Sequence, residues 1–210
     1  MSNDTISGQN RLSIILGAIL GALIGSRVMG YLENPMMPST LQDFVFLLNT
    51  KSIMGGLFGG MFGVELAKKI IGERQSSGDL FTFPIILGIF IGRLGCFLSG
   101  IKEFTYGKET HFITGMDLGD GLHRHPTSLY EMVFLALLFV FLKKNASGLK
   151  KENGLLFKVF MILYFGFRFI IECIKPNVFF ISGLSSIQWI CIACWTYYSP
   201  TILKLIRNAY

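Results

Sequence analysis

The chain is 210 residues long, 51% apolar and only 15% charged, whereas a soluble domain carries about 25% charged residues. Its length suits one domain. The formal net charge is +6, yet the basic residues are divided among short loops and helix ends and build no single basic face, so nucleic acid is excluded as a partner. The charges stand in short blocks between apolar stretches of the roughly 17–25 residues that cross a bilayer. A positive bias of this kind records membrane topology.

Six spans are predicted, at 12–32, 52–71, 80–99, 127–143, 154–174 and 184–204. The segment Met1 to Asn10 is polar, the apolar run from Leu12 to Leu32 is too long for the core of a signal peptide, and no small-residue cleavage site follows. The N-terminus is therefore expected to stay on the mature chain. Gly17, Gly21 and Gly25 line one face of the first span, Gly55, Gly59 and Gly63 line the second, and the third has Gly88 and Gly92. Small residues four apart let helix backbones approach closely in lipid, so spans one to three are expected to form a tight core. The short apolar piece Phe44 to Leu48 cannot cross and is expected in the interface. The abundant phenylalanines (20 residues) are read as lipid-facing and packing surface. All four cysteines fall in apolar stretches, and Cys191 and Cys194, a C-x-x-C inside a span, read as small packing residues rather than a redox or metal pair.

Topology follows from the charges. The side of the N-terminus holds Arg11, Lys68, Lys69, Arg74, Lys143, Lys144, Lys150, Lys151, Lys204 and Arg207; the other holds Lys51, Lys102, Lys108, Arg124 and Lys175. The positive-inside rule puts the richer side, with both termini, in the cytoplasm. The expectation is an all-α polytopic membrane protein, a single transmembrane domain over residues 1–210, with 100–126 as its longest extracytoplasmic loop.

Four basic residues remain within spans. Lys158 lies near the cytoplasmic start of the fifth span and can snorkel. Arg27, Arg93 and Arg168 lie late in spans one, three and five, all of which run outward, so all three arginines are expected in the outer half of the bilayer. A charged side chain at the centre of a membrane helix costs about 2.5–3.5 kcal/mol. Three together call for counter-charges or an anionic ligand. Glu172 is one turn beyond Arg168, Glu131 opens the fourth span and Glu33 closes the first. Internal ion pairs would satisfy one arginine; three point to an anion such as a phosphate, which guanidinium groups chelate through two nitrogens.

The 100–126 loop contains His111, His123 and His125, with Glu103, Glu109, Asp117, Asp120 and Tyr106. H-R-H at 123–125 is not a ligand spacing for a metal, and neither a metal nor another cofactor is expected. A histidine with a near-neutral pKa is better suited to general acid–base work.

Three segments resemble a known family. Gly92 to Gly100 (GRLGCFLSG) is similar to the signature G-R-x-G-N-F-x-N-G-E of the prolipoprotein diacylglyceryl transferases. His125 to Glu131 (HPTSLYE) resembles their H-P-[ST]-Q-L-Y-E, and Phe165 to Glu172 (FGFRFIIE) resembles G-x-x-R-F-x-x-E. Gly25-Ser26-Arg27 and Met54-Gly55-Gly56-Leu57 resemble a G-x-R and an H-G-G-L of the same family. The motifs keep family order, and the likeness covers most of the chain. The resemblance implies transfer of diacylglycerol from phosphatidylglycerol to the cysteine thiol of a prolipoprotein signal peptide, in the bacterial cytoplasmic (inner) membrane. It implies that Arg93 and Arg168 bind the lipid phosphate and stabilise the leaving glycerol phosphate, and that Glu172 orients Arg168. His125 is the expected base. Arg27, Glu103, Tyr106, Tyr130 and Glu131 are the expected substrate-binding residues.

The chain departs from the pattern at Met54 (family His), Cys96 and Ser99 (Asn), Ile101 (Glu) and Ser128 (Gln). The family's first helix and a large periplasmic head are expected to have no counterpart here. These departures leave a second reading, a phospholipid-binding or partner membrane protein derived from the transferase. Transport of a small solute ranks last, because transport charges lie near the midplane and these are biased outward.

Overall fold

Backbone amides in hydrocarbon must be satisfied within the segment, which leaves the helix as the only solution for a short apolar run. The computed structural model describes residues 6–33, 40–41, 50–102, 105–149, 152–176 and 181–209, and these are mostly helical. The helices are α1 (Gly8–Glu33), α2 (Ile53–Ile71), α3 (Gly78–Leu98), α4 (Thr127–Leu149), α5 (Leu155–Ile174), α6 (Ser186–Tyr197) and α7 (Ser199–Ala209). Between α3 and α4, β1 (Met116–Asp117) pairs antiparallel with β2 (His123–Arg124), Met116 opposite Arg124 and Asp117 opposite His123. The expected interfacial piece at 44–48 lies outside the described residues.

Helices α1, α3 and α4 are long and apolar enough to cross a membrane. Helices α2 and α5, with 19 and 20 residues, match the expected second and fifth spans in length, but each carries charges: Glu65, Lys68 and Lys69 in α2, and Lys158, Arg168 and Glu172 in α5. The expected sixth span is broken. Its residues form α6, of 12 residues, and α7, of 11. The reason is local: Pro200 has no amide hydrogen to continue the ladder of α6, whereas a proline is tolerated in the first turn of a new helix. The Tyr198 amide still bonds to the Cys194 carbonyl, and a new ladder begins from the Tyr198 carbonyl to Thr201 and Ile202. Helix α4 runs six residues past the expected end of the fourth span, because Lys143 to Ser147 end the apolar run without containing a helix breaker.

The chain divides into two compact units, one of Met1–Ser76 with Val178–Tyr210 and one of Ser77–Asn177. In the first, the glycine faces of α1 and α2 meet as expected. A methyl group at Gly21 would lie 2.3 Å from the Gly59 carbonyl oxygen, and one at Gly55 would lie 2.2 Å from that of Gly25. The opposite face of α1, with Leu12, Leu16, Ile19 and Leu23, is exposed, the inverse of a soluble amphipathic helix. The Tyr198 hydroxyl reaches the Met61 sulfur of α2 at 2.9 Å, and Cys191 and Cys194 are fully buried in α6. A methyl at Gly88 or Gly92 would meet nothing within 4 Å among the described residues; small residues permit close approach but do not recruit a partner.

In the second unit α3 packs on α4 and α5, and α4 packs on α5. Asp79, in the first turn of α3, fixes the start of α5: its carboxylate accepts the Gly154 amide at 2.8 Å and the Phe157 amide at 3.0 Å. Gly154 turns the chain there in a left-handed conformation (φ 83°). These contacts set the relative height of α3 and α5, and with it the level at which their charged residues meet.

Candidate active site

Helices α3 and α4 run antiparallel, so residues whose numbers rise on one and fall on the other face each other. Arg93, near the end of α3, stands against Glu131, in the second turn of α4. Arg93 Nε lies 2.9 Å from Glu131 Oε1. The approach is close but oblique, since the N–H does not point at the oxygen. Helix α5 supplies the third side. Arg168 Nη1 donates to Glu131 Oε2 at 2.8 Å, and the Tyr164 hydroxyl donates to Oε1 at 2.6 Å. Arg168 Nη2 is also 3.7 Å from Glu172 Oε2. Tyr164, Arg168 and Glu172 form one stripe because they are four residues apart on a helix. All five side chains are buried, Glu131 to 1% exposure.

This arrangement refines the sequence reading. The carboxylate in closest contact with both guanidinium groups is Glu131, and Glu172 is the more distant partner of Arg168. Tyr164 is the member that sequence reasoning misses: a tyrosine in an apolar helix reads as packing, although its place one turn before Arg168 is visible. The formal charges of Arg93, Arg168, Glu131 and Glu172 balance. The pairing still leaves donors. Arg93 makes no hydrogen bond through its two terminal nitrogens among the described residues. A desolvated cation of this kind offers a strong, geometrically specific hold on a phosphate oxygen.

One helical turn further along the same α3–α4 seam, Cys96 faces Ser128. They line a small pocket of about 10 Å³, room for about one water, with Phe97, Gly100, Thr105, Tyr106, Leu118 and Pro126. Two of the departures from the family pattern, Cys96 and Ser128, thus share one cavity. Both are shorter than the amides they replace, which is a physical reason for space at this point.

The loop between α3 and α4 bonds to the start of α4 and to the end of α5. The Thr105 carbonyl accepts from the hydroxyls of Thr127 and Ser128. The Lys108 amide donates to the Ile174 carbonyl at 2.7 Å, and Lys108 Nζ reaches the Cys173 carbonyl at 3.1 Å. Gly107 lies against His125, where a methyl group would come within 2.6 Å of the His125 Cβ. His125 Nδ1 is 3.0 Å from the Tyr130 hydroxyl, which also contacts the Thr114 hydroxyl. No hydrogen bond or ion pair among the described residues links His125 to Arg93 or Arg168. Tyr106 faces Arg124, whose guanidinium carbon is 5.2 Å from the ring centre, and Arg124 is itself held by Asp120 at 2.7 Å. Asp117 accepts three amides, from Gly119, Asp120 and Gly121. Those bonds, the Gly119 amide first, hold its carboxyl below the ordinary value, and the Arg124 bond does the same for Asp120.

Arg27 belongs to the first unit, where Nη1 donates to the Thr50 carbonyl at 3.1 Å. Met54, at the place of the family histidine, is buried in α2 of that unit. Glu103 lies outside the described residues.

Comparison with known proteins agrees with the motifs. The family profile described as prolipoprotein diacylglyceryl transferase matches residues 2–201. A phosphatidylglycerol–prolipoprotein diacylglyceryl transferase of Ehrlichia ruminantium (strain Welgevonden) is 35% identical over 175 residues, covering 78% of this chain and 65% of that protein. Proteins of the same name from Nitratidesulfovibrio vulgaris (strain DP4) and Finegoldia magna are each 30% identical, over 177 and 204 residues. The first alignment covers 80% of this chain and 62% of the relative, the second 90% and 76%. The chain thus spans a little under two thirds of the length of several curated relatives. Profile, relatives and ordered motifs agree, and the chain belongs to the prolipoprotein diacylglyceryl transferase family.

Proposed function

We propose that this chain transfers a diacylglyceryl group from phosphatidylglycerol to the cysteine thiol of a prolipoprotein signal peptide. The observation that carries this reading is the meeting of Arg93 and Arg168, from two helices, on the single buried carboxylate of Glu131. Intramembrane charges are costly and belong to functional sites by default. Here they bring two guanidinium groups onto one carboxylate, and the terminal nitrogens of Arg93 make no hydrogen bond among the described residues, which supports a role in holding a phosphate.

In the proposed reaction the donor lipid enters laterally, with its phosphate on Arg93 and Arg168. The cysteine sulfur bonds to the terminal glyceryl carbon as the carbon–oxygen bond to phosphate breaks. Glycerol phosphate leaves with the electron pair, and the two guanidinium groups stabilise the charge that develops on it. The thiol proton passes to a base, for which His125 is the candidate. Its Nδ1 is engaged by Tyr130, which leaves Nε2 for the proton. Glu131, Tyr164 and Glu172 hold the arginines in place. Arg27, Tyr106, Tyr130 and Glu103 belong to substrate binding in this reading. The chain crosses a bacterial inner membrane six times with both termini in the cytoplasm, the basic loops supporting that orientation, and the site opens toward the outer leaflet. The broken sixth span is accommodated by α6 and α7 sharing one passage.

The test is to incubate the purified protein with phosphatidylglycerol and a lipoprotein signal peptide, and to weigh the peptide. Transfer adds one diacylglyceryl mass per cysteine and releases an equal amount of glycerol phosphate. Arg93→Ala and Arg168→Ala abolish both while the protein still folds. Bound phosphatidylglycerol with no gain of peptide mass would reduce the protein to a lipid-binding relative of the enzymes.

A further inference from the structure

The most exposed large apolar side chain among the described residues is neither on a helix nor at a terminus. It is Ile113, 93% exposed, and its neighbour Phe112 is 63% exposed. Both lie at the tip of the polar loop between α3 and α4. Together they form a small apolar patch at adjacent positions of a loop that is otherwise largely polar.

The tip is a built turn. The Gly115 amide donates to the Phe112 carbonyl at 2.8 Å, and the Phe112 amide donates to the Thr110 hydroxyl at 3.1 Å. Gly115 fits closely, since a methyl there would lie 3.0 Å from both the Phe112 oxygen and the Thr110 methyl. The two apolar side chains are thus presented in advance, with little further ordering to undergo on binding.

The tether says where they are presented. The Thr114 hydroxyl contacts the hydroxyl of Tyr130, in the first turn of α4. Helix α4 is long and apolar enough to cross a membrane. On it, Tyr130, Val133, Leu137 and Phe141 follow one another at helical spacing on one face, and Val133 and Leu137 are 54% and 65% exposed. An exposed apolar stripe on a membrane-crossing helix faces lipid, and a tyrosine at its end marks the headgroup level. The tip is therefore moored at the top of a lipid-facing stripe and continues it. The segment Thr110 to Met116 contains no carboxylate, so no charge on it opposes an anionic leaflet.

We infer that Phe112 and Ile113 insert into the headgroup–acyl boundary of the bilayer beside the outer end of α4, anchoring the polar loop to the lipid surface. The occupant of this apolar surface is lipid, not a polypeptide. The inference rests on α4 crossing a bilayer and is independent of the transfer reaction.

The test uses the full chain in vesicles of phosphatidylethanolamine and phosphatidylglycerol, some carrying bromine high on the acyl chain. Phe112→Trp reports the tip, and Leu137→Trp reports the α4 stripe, each after subtraction of the signal from the native Trp189 and Trp195. The expected result is loss of most of the added emission to brominated lipid in both variants. For Phe112→Trp it includes a blue-shifted maximum and little quenching by aqueous iodide. Iodide quenching and a water-like maximum for Phe112→Trp, with the Leu137→Trp signal still lost to lipid, would overturn the inference and leave the transfer reaction untouched. Protection of the tip from both quenchers would overturn it in favour of a polypeptide covering. Failure of brominated lipid to quench Leu137→Trp would overturn its premise.

Discussion

Glu131 draws together what the sequence presents as separate charges. Its two oxygens take Arg93, Arg168 and Tyr164 from two other helices, so its removal leaves two buried cations facing each other. Breaking a buried ion pair in this way costs about 3–5 kcal/mol. Glu131→Gln should lower the unfolding free energy by an amount on that scale, with a matching fall in the unfolding midpoint, whereas Glu172→Gln, whose carboxylate is 3.7 Å from its cation, should lower both less. Detergent-resolved thermal unfolding measures both, and equal effects would show that the shared carboxylate has no special place. At this scale the sequence is most informative where burial is costly. Arg93 and Arg168 stand out because a cation in hydrocarbon needs a reason. Tyr164 does not, because a tyrosine among apolar residues needs none. The order of importance of Glu131 and Glu172 depends on how two helices are placed in height, which spacing along one helix does not contain.

At the scale of elements, two devices position the helices. The glycine faces of α1 and α2 leave no room for side chains, and a leucine at Gly59 would have to displace the Gly21 backbone, whose oxygen a methyl there would approach to 2.4 Å. Gly59→Leu should cost about 1–3 kcal/mol by overpacking, while Gly88→Leu, at an open position, should leave stability nearly unchanged. A matched pair of unfolding curves tests the contrast. Asp79 caps α5 from α3, and Asp79→Ala should cost about 1 kcal/mol, the usual loss for a helix cap; an unchanged unfolding midpoint would show that the cap sets nothing. The glycine stripes are legible in the sequence. The break at Tyr198 is legible only in Pro200, which hydropathy passes over. The β1–β2 hairpin is not: two-residue strands have no periodicity to read, and it is fixed instead by side-chain bonds from Asp117 and Asp120. Their folded carboxyls sit below the ordinary aspartate value of 3.8. Their contribution is therefore complete above that value and is lost as the pH falls below it toward the folded value. Amide exchange at Gly119 and Gly121, corrected for intrinsic rates, should show constant protection from neutral pH down to the ordinary value and decline only beneath it. A decline beginning near neutrality would point to the histidines instead.

For the molecule as a whole, composition and charge distribution carry the class and the motif order carries the family. What they leave open is division of labour. The chain folds as two units, with the Arg93–Glu131–Arg168 cluster, the Cys96–Ser128 cavity and the moored loop all in the unit of Ser77–Asn177. The glycine-packed helices, Arg27 and Met54 belong to the other. The claim on which the account turns is that Arg93 and Arg168 grip the phosphate of an anionic lipid. It is tested most directly by counting the lipids that stay with the protein in native mass spectrometry after delipidation and exposure to equal phosphatidylglycerol and phosphatidylcholine. Selective retention of phosphatidylglycerol by the wild type, with loss of that selectivity in folded Arg93→Ala and Arg168→Ala, is the expected result. Equal retention of the two lipids, or selectivity unchanged in both variants, would contradict it.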